Sequence, residues 1–513
     1  MTSRLVMRRQ HVHLTDLCHD LIDIPDQTGA IMVTGLAVDS QRVAAGNLFF
    51  ALAGSHRDGR DFIGDAITAG AAAIVTSMTP LAKDIAKLAQ QAAIPILQCE
   101  NPRRVMAKMA AIHWPSQPGM VAAVTGTNGK TSTTEFLRQL WQRATWQAIA
   151  VGTLGITGTD MIKSDGALLS LPPLTTPDSI SLHATLAPLT KAGVTHLALE
   201  ASSHGLEQHR LDGLNIHIAA FTNLSRDHLD HHIDMDRYFA AKNRLFTDLL
   251  SEGGAAIINL DDQFSAAIID SLQDRAIVIK TFGYAEDADF RILSITPSGD
   301  GLDMKVVYQD QTWDIPLALS GTFQAINALT AAVMAHLGGL PLHDALGALP
   351  YLKAAPGRMQ TIHGHPAGAR VVVDYAHTPD ALAAALGALR PEASGKLVVL
   401  FGCGGDRDPG KRAMMGKVAC KIADEVIITD DNPRSEDPAS IRSAILQSCD
   451  KATEIVPRDK AIASALGNLV AGDVLLIAGK GHETGQLIGN ETLPFDDASV
   501  ANNKIRTMRE ALQ

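Results

Sequence analysis

At 513 residues the chain is long enough for two to four domains, each with its own core. Hydrophobic residues at 46% against 19% charged ones exclude a disordered chain, and a net charge of −11 excludes nucleic acid as the main partner, because phosphate backbones select basic surfaces. No apolar run approaches the roughly 18 residues of a membrane span, and none follows Arg4, Arg8 and Arg9, so neither a membrane anchor nor a signal peptide is expected. Five scattered cysteines without a C-x-x-C pair fit reduced thiols in a cytoplasmic protein.

Residues 1–102 read as a small α/β unit: a strand over 46–52, a polar loop over 54–59, a helix over 61–69 and a strand over 72–75. Pro and Gly between 101 and 119 mark a passage to a second unit. From there to about 351, strands and helices alternate, as in a doubly wound, mostly parallel sheet. The apolar run 121–124 breaks into Gly126, Thr127, Asn128 and Gly129, then meets Lys130 and Thr131 before a helix predicted over 132–143. Glycines let backbone N–H groups face a phosphate, the helix N-terminus adds partial positive charge, the Lys adds a full one, and Thr131 offers its hydroxyl to Mg²⁺. Val124 stands where the commonest phosphate loop has Gly, and a chance Gly-Lys-Thr turn is the alternative.

Strands over 195–200 and 216–222 end at Glu200 and shortly before Asp227 and His228. Open α/β sheets hold ligands at such carboxyl ends. Residues 289–319 alternate like an antiparallel addition, and 323–337 reads as a helix. From 352 a third, Rossmann-like α/β unit follows, with strands over 370–375, 396–401, 425–429 and 473–478, each ending in a polar or Gly-rich loop. Gly402 to Gly405 lacks the G-x-G-x-x-G spacing of a dinucleotide-binding turn.

Ten stretches in one order give the chain a wider resemblance: T-G-T-N-G-K-T (125–131), L-T-T-P (174–177), E-A-S-S-H-G-L (200–206), N-L-S-R-D-H-L-D (223–230), Y-F-A-A-K (238–242), P-G-R-M (356–359), D-Y-A-H-T-P-D (374–380), G-D-R-D (405–408), D-N-P-R (431–434) and G-K-G-H-E (479–483). On these the chain resembles the Mur ligase family over nearly its full length. The resemblance implies three domains: 1–102 for a UDP-sugar, 103–351 for ATP, and 352–513 for an amino acid. It implies Mg²⁺ and ATP-dependent amide synthesis through an acyl phosphate. The expected substrates are UDP-N-acetylmuramoyl-L-alanyl-D-glutamate and meso-2,6-diaminopimelate, in peptidoglycan synthesis, with no nucleic-acid or membrane partner and a monomeric state. L-lysine as the amino acid, another Mur ligase and folylpolyglutamate synthetase are the nearer alternatives. A small-molecule kinase or nucleotide-gated switch, needing no amine, is the distant one.

Residue by residue, the resemblance places Lys130 at the γ-phosphate, Thr131 and Glu200 on one Mg²⁺ and His228 on a second, with Lys242 carbamylated. Gly126, Thr127, Asn128, Gly129, Asn327, Arg358, Asp374 and His377 surround ATP, with Gln324 standing where the family usually has Asn. Ser40, Ser55, His56, Arg57, Thr175, Thr176, Ser203, Gln208 and Arg210 match the nucleotide-sugar peptide, although Gln41 intervenes before Arg42. Arg407, Asp431, Asn432, Pro433, Arg434, Gly479 and Glu483 match the amino-acid pocket, with Arg434 at the distal carboxylate that lysine lacks and Glu483 near the distal amine. Plainer alternatives stand beside these: Glu200 capping a helix, His228 in an ordinary hydrogen bond, Lys242 and Arg210 as solvated surface groups, and Pro433-Arg434 merely ending a turn.

Overall fold

The computed structural model describes residues 11–24, 28, 30–54, 57–161, 171–225, 232–299 and 301–512. They form two compact units, 1–130 with 141–280, and 131–140 with 281–513.

The first unit carries two main sheets. In the smaller, Gly35–Ala37, Asn47–Ala51, Ala73–Ser77 and Ile96–Cys99 lie side by side in that order, all parallel. Its strands are apolar on both faces: Leu48, Phe50 and Val75 pack into one core, Phe49 and Ile74 into another. The passage expected after 101 is itself a helix, Pro102–His113. Asn101 accepts the Arg104 N–H at 3.0 Å, and Pro102 occupies the first turn, where its missing N–H costs nothing.

The larger sheet of this unit orders its strands Gly155–Thr157, Ala148–Gly152, His196–Glu200, Met120–Thr125, Ile216–Phe221 and Leu250–Asn259. All neighbours are parallel except the antiparallel Gly155–Thr157. Val121, Ile149, Leu197 and Leu199 fill one core without exposure. The register sets Glu200 opposite Val124 and Phe221 opposite Thr125. An acid and the loop after the 216–221 strand therefore emerge beside the residues that follow Thr125.

In the second unit, Phe290–Ser298, Gly301–Tyr308 and Gln311–Leu317 form an antiparallel meander, followed by the helix Thr322–Leu337. A six-stranded sheet then runs Gln360–Ile362, Arg370–Asp374, Val474–Ala478, Leu397–Phe401, Glu425–Ile428 and Ala452–Glu454, parallel except at its first strand. Val373, Leu475 and Ile477 face one core; Val372, Val399 and Leu476 face the other. The loops after 374, 401, 428 and 478 share one edge of this sheet, where ligands of open α/β sheets sit. Among the described residues no helix is long and apolar enough to cross a membrane.

Candidate active site

The turn after the Met120–Thr125 strand is built for close backbone approach. Gly126 has φ 148°, and a Cβ there would stand 1.9 Å from Thr222 Oγ1. Thr222 Oγ1 donates to the Asn128 carbonyl at 2.6 Å, while the Asn223 side chain accepts the Asn128 N–H at 3.0 Å. The exit of the neighbouring strand thus clamps the middle of the loop. Gly129, at φ 88°, hands the chain to the helix Lys130–Arg143. Lys130 Nζ donates to the carbonyls of Gly126 (2.8 Å) and Thr127 (2.9 Å). Thr131, next in the helix, is buried.

Lys242 comes to the same loop from the helix Met235–Arg244. Its ammonium is buried, donates to the Gly126 carbonyl at 2.7 Å and lies 4.6 Å over the Tyr238 ring. Tyr238, also buried, sets its hydroxyl 3.1 Å from Thr127 Oγ1. Two cationic side chains therefore converge on one carbonyl of the phosphate loop.

Glu200 is buried at the end of its strand, its two oxygens accepting the Thr153 N–H at 2.8 Å and the Thr153 hydroxyl at 3.2 Å. The Thr175 hydroxyl lies 3.2 Å from that of Thr153, and Thr176 Oγ1 donates to the Glu200 carbonyl at 2.7 Å. Arg210 donates to the Thr176 carbonyl at 2.6 Å and to Gln208 Oε1 at 2.8 Å; desolvation pushes its guanidinium below the ordinary value, opposed by the Asp178 charge. Ser203 lies 2.9 Å from His232 Nε2. Glu200, Thr175, Thr176, Ser203, Gln208 and Arg210 thus gather around one strand end. Ser40 begins a short 3₁₀ turn, and Arg57 is exposed. Ser55, His56 and His228 lie outside the described residues. Among the described residues no three His, Cys, Asp or Glu side chains are grouped to hold a metal.

In the second unit, Asp374 ends its strand and accepts the N–H groups of Met359 (2.8 Å) and Ala376 (2.9 Å). Desolvation pushes its carboxyl upward, against the Arg358 charge and those two bonds. Arg358 stacks 4.7 Å over the Tyr375 ring. Buried Gln324 donates to the Arg358 carbonyl at 2.8 Å and accepts from Asn327 Nδ2 at 3.1 Å. It joins the helix carrying Asn327 to the turn carrying Arg358, which is what an amide at that position does here. Gly357, at φ 63°, approaches the 479–483 loop so closely that a Cβ would stand 2.1 Å from His482 N. His377 bonds the Tyr375 carbonyl at 2.8 Å, and desolvation with the Lys411 and Arg358 charges holds its imidazole below the ordinary value.

The last cluster draws on three loops. Arg434 has φ 53°, unusual for a side-chain-bearing residue, and the Gly485–Ile488 strand holds that turn: Arg434 N donates to Leu487 O at 3.1 Å, and Arg434 O accepts from Gly489 at 2.7 Å. Its Nη1 donates to the Gly405 carbonyl at 2.7 Å, a contact that a Cβ on Gly404 would crowd. Asn432 donates to Glu483 Oε2 at 2.8 Å, and Asp431 Oδ2 stands 2.7 Å from where a Cβ on Gly479 would be. Pro433 is buried and Arg407 exposed at the rim. Asp431, Asn432, Glu483 and Gly479 are therefore together, with Arg434 held against the Gly485–Ile488 strand. Three supporting residues, Asn223, Tyr238 and Lys480, lie inside the quoted motifs, yet residue type and spacing do not reveal their roles.

Three family models match in series: the Mur ligase family catalytic domain over 32–114, the Mur ligase middle domain over 124–335, and the Mur ligase glutamate ligase domain over 357–481. A protein of Bradyrhizobium diazoefficiens named UDP-N-acetylmuramoyl-L-alanyl-D-glutamate–2,6-diaminopimelate ligase is 46% identical over 487 residues, covering 94% of this chain and 97% of its own length. Its namesake from Brucella melitensis is 45% identical over 491 residues, covering 95% and 97%. A solved structure of a ligase of that name, 35% identical, superposes with a TM-score of 0.72 over 97% of this chain and 99% of its own. With the phosphate loop, its clamping residues and the 403–407 and 431–434 loops inside the matched spans, and relatives 45–46% identical over almost the whole chain, the chain belongs to the Mur ligase family.

Proposed function

We propose that this chain joins meso-2,6-diaminopimelate to the D-glutamate carboxylate of UDP-N-acetylmuramoyl-L-alanyl-D-glutamate at the expense of ATP, as a cytoplasmic monomer in peptidoglycan synthesis. The observation that carries the amino-acid choice is the supported pair of opposite charges at one sheet edge. Arg434 is held by a left-handed turn and Glu483 by Asn432. A guanidinium suits the distal carboxylate and a carboxylate suits the distal ammonium, and diaminopimelate carries both on one carbon. The names of the relatives agree with this choice.

In this reading the domains divide at about 102 and 351. Gly126, Thr127, Asn128, Gly129, Lys130 and Thr131 take the triphosphate, and Asn327, Arg358, Asp374 and His377 the rest of the nucleotide. Ser40, Ser55, His56, Arg57, Thr175, Thr176, Ser203, Gln208 and Arg210 take the nucleotide-sugar peptide, while Arg407, Asp431, Asn432, Pro433, Arg434, Gly479 and Glu483 take the amino acid. The substrate carboxylate attacks the γ-phosphorus, an O–P bond forms, and ADP leaves. The amine then attacks the acyl carbonyl, a C–N bond forms, phosphate leaves, and the nitrogen sheds its protons. Lys130 offsets charge as carboxylate approaches phosphate. Mg²⁺, held by Thr131, Glu200, His228 and a carbamylated Lys242, would offset the rest of that charge. Buried Glu200 and the Thr131 hydroxyl are hard oxygen donors that suit this ion, whereas Lys242 as an ammonium does not. Reaction of the neutral Lys242 amine with CO₂, with loss of one proton, would supply the missing anion.

The test is product identity. Enzyme, ATP, Mg²⁺, the nucleotide-sugar dipeptide and diaminopimelate should yield a tripeptide product by mass spectrometry, with one ADP per amide. ADP formation that needs no amine would favour a kinase or switch.

A further inference from the structure

Lys480 is a charged side chain with no exposed surface. The two residues beside it are glycines in left-handed backbone, Gly479 at φ 109° and Gly481 at φ 53°. A Cβ on Gly481 would stand 2.6 Å from Tyr375 Cβ, so the loop passes tightly over its neighbours and turns Lys480 inward. An ammonium has three N–H donors, and this one spends all three: on Asn432 Oδ1 at 3.1 Å, Glu483 Oε2 at 3.2 Å and Gly485 O at 2.7 Å. It has no donor left for a ligand.

Its effect falls on its partners. Asn432 Oδ1 accepts both Lys480 and the Leu487 N–H (2.9 Å), which fixes the amide so that its NH₂ points at Glu483. Both bonds to the Glu483 carboxylate, from Lys480 and from Asn432, land on Oε2. Oε1 accepts no hydrogen bond among the described residues. One oxygen is tied into the protein, and the other is left to meet a donor.

We propose that Lys480 is a positioning residue that presents Glu483 Oε1 to the distal ammonium of the incoming amino acid, and so sets the demand for an amine at the far end of that substrate. This rests on the amino-acid reading above. Without Lys480, the carboxylate and amide lose their common anchor and the far-end amine loses its aligned acceptor. In the reading above, Arg434 takes the carboxylate end and other residues take ATP.

The experiment compares wild type with Lys480→Met on meso-diaminopimelate and on 2-aminopimelate, the same diacid without the distal amine. The KM for diaminopimelate should rise by about tenfold or more, the loss expected when a buried charge-assisted network loses its donor. The KM for ATP should stay, and the preference for diaminopimelate over 2-aminopimelate should narrow. Glu483→Gln should narrow it equally, and the double variant should be no worse than either single one. An unchanged KM, an equal loss on both amino acids, or additive losses in the double variant would overturn the proposal. If Lys480→Met does not fold, Lys480→Gln is read in the same way. A wild-type enzyme that makes no product with diaminopimelate refutes the functional reading instead, so the two failures are distinct.

Discussion

The phosphate loop of the first unit and the Arg434–Glu483 cluster of the second both sit at the carboxyl edge of a parallel sheet, but they are made differently. The first is a continuous stretch whose backbone is proposed to face the phosphates, with Thr222, Asn223 and Tyr238 holding it in shape. The second has no continuous stretch. Its side chains come from three loops, and its geometry depends on left-handed turns at Asp406 and Arg434 and on charges buried behind it. A backbone site survives many side-chain changes and fails when its cations are lost. A side-chain site fails when any one support is lost.

The largest effect that separates the two is expected in the first cluster. Lys130→Ala and Lys242→Ala should each cut turnover on the order of 10³-fold, because one cation or the anion derived from it leaves a charged transition state. Circular dichroism should show an unchanged fold, and ¹³CO₂ labelling should give a carbamate resonance that Lys242→Ala lacks. An active Lys242→Ala variant would make that lysine a packing residue.

Next comes a support of the second cluster. Arg458 and Asp497 form a fully buried ion pair with two bonds of 2.7 Å, and Arg458 also donates to the carbonyls of Ala478 (2.9 Å) and Asp430 (3.2 Å), each one residue before a pocket loop. Arg458→Met leaves Asp497 as a buried, unpaired charge and should cost about 3–5 kcal/mol in denaturant unfolding. A loss below about 1 kcal/mol would mean the pair contributes no more than a surface one.

How much of this was legible follows the same division. The apolar 121–124 run and the glycines after it announce strand, turn and helix, and the structure has Met120–Thr125 and Lys130–Arg143. The parallel strands 370–374, 397–401, 425–428 and 474–478 were equally plain, since strands buried on both faces read as unbroken apolar runs. Pro102 read as a break because proline ends as many elements as it begins; the Asn101 cap was the signal that decides. Lys480 and Arg458 were not legible. A lysine between glycines looks like an exposed loop, and Arg458 meets Asp497 only through tertiary packing. Gln324 looked like a departure, and only the distances to Asn327 and Arg358 show its use.

A smaller effect sharpens the picture at the proposed amino-acid pocket. Arg434→Ala should raise the KM for diaminopimelate by about 30- to 160-fold, equivalent to about 2–3 kcal/mol, the lower part of the range for truncating a buried charge partner, because Arg434 is only half-buried. The KM for ATP should barely move. Equal shifts in both would make Arg434 a structural turn residue.

The smallest effect is on pH dependence and is read at two buried histidines of the first unit. His183 is buried, neither ring nitrogen has a hydrogen-bond partner among the described residues, and desolvation pushes its pKa down to about 4; His196, stacked 4.5 Å from Trp146, is likewise pushed to about 4. A depressed histidine pKa means the unfolded chain takes up the proton first. Stability from these groups is therefore constant above about pH 6.5 and falls as pH drops from there towards 4. Between pH 7 and 5.5 His183 should account for about 1 kcal/mol, read as the difference in that pH slope between wild type and His183→Gln. Parallel slopes would contradict this.

The most direct test of the whole account is competition between two amino acids for one enzyme. With ATP, Mg²⁺ and the nucleotide-sugar dipeptide saturating, kcat/KM is measured for meso-diaminopimelate and for L-lysine, which differ by the carboxylate assigned to Arg434. The account predicts a preference for diaminopimelate of at least about thirtyfold, corresponding to roughly 2 kcal/mol for a guanidinium–carboxylate pair, and its collapse in Arg434→Ala. Equal use of the two, or a preference for lysine, would contradict it.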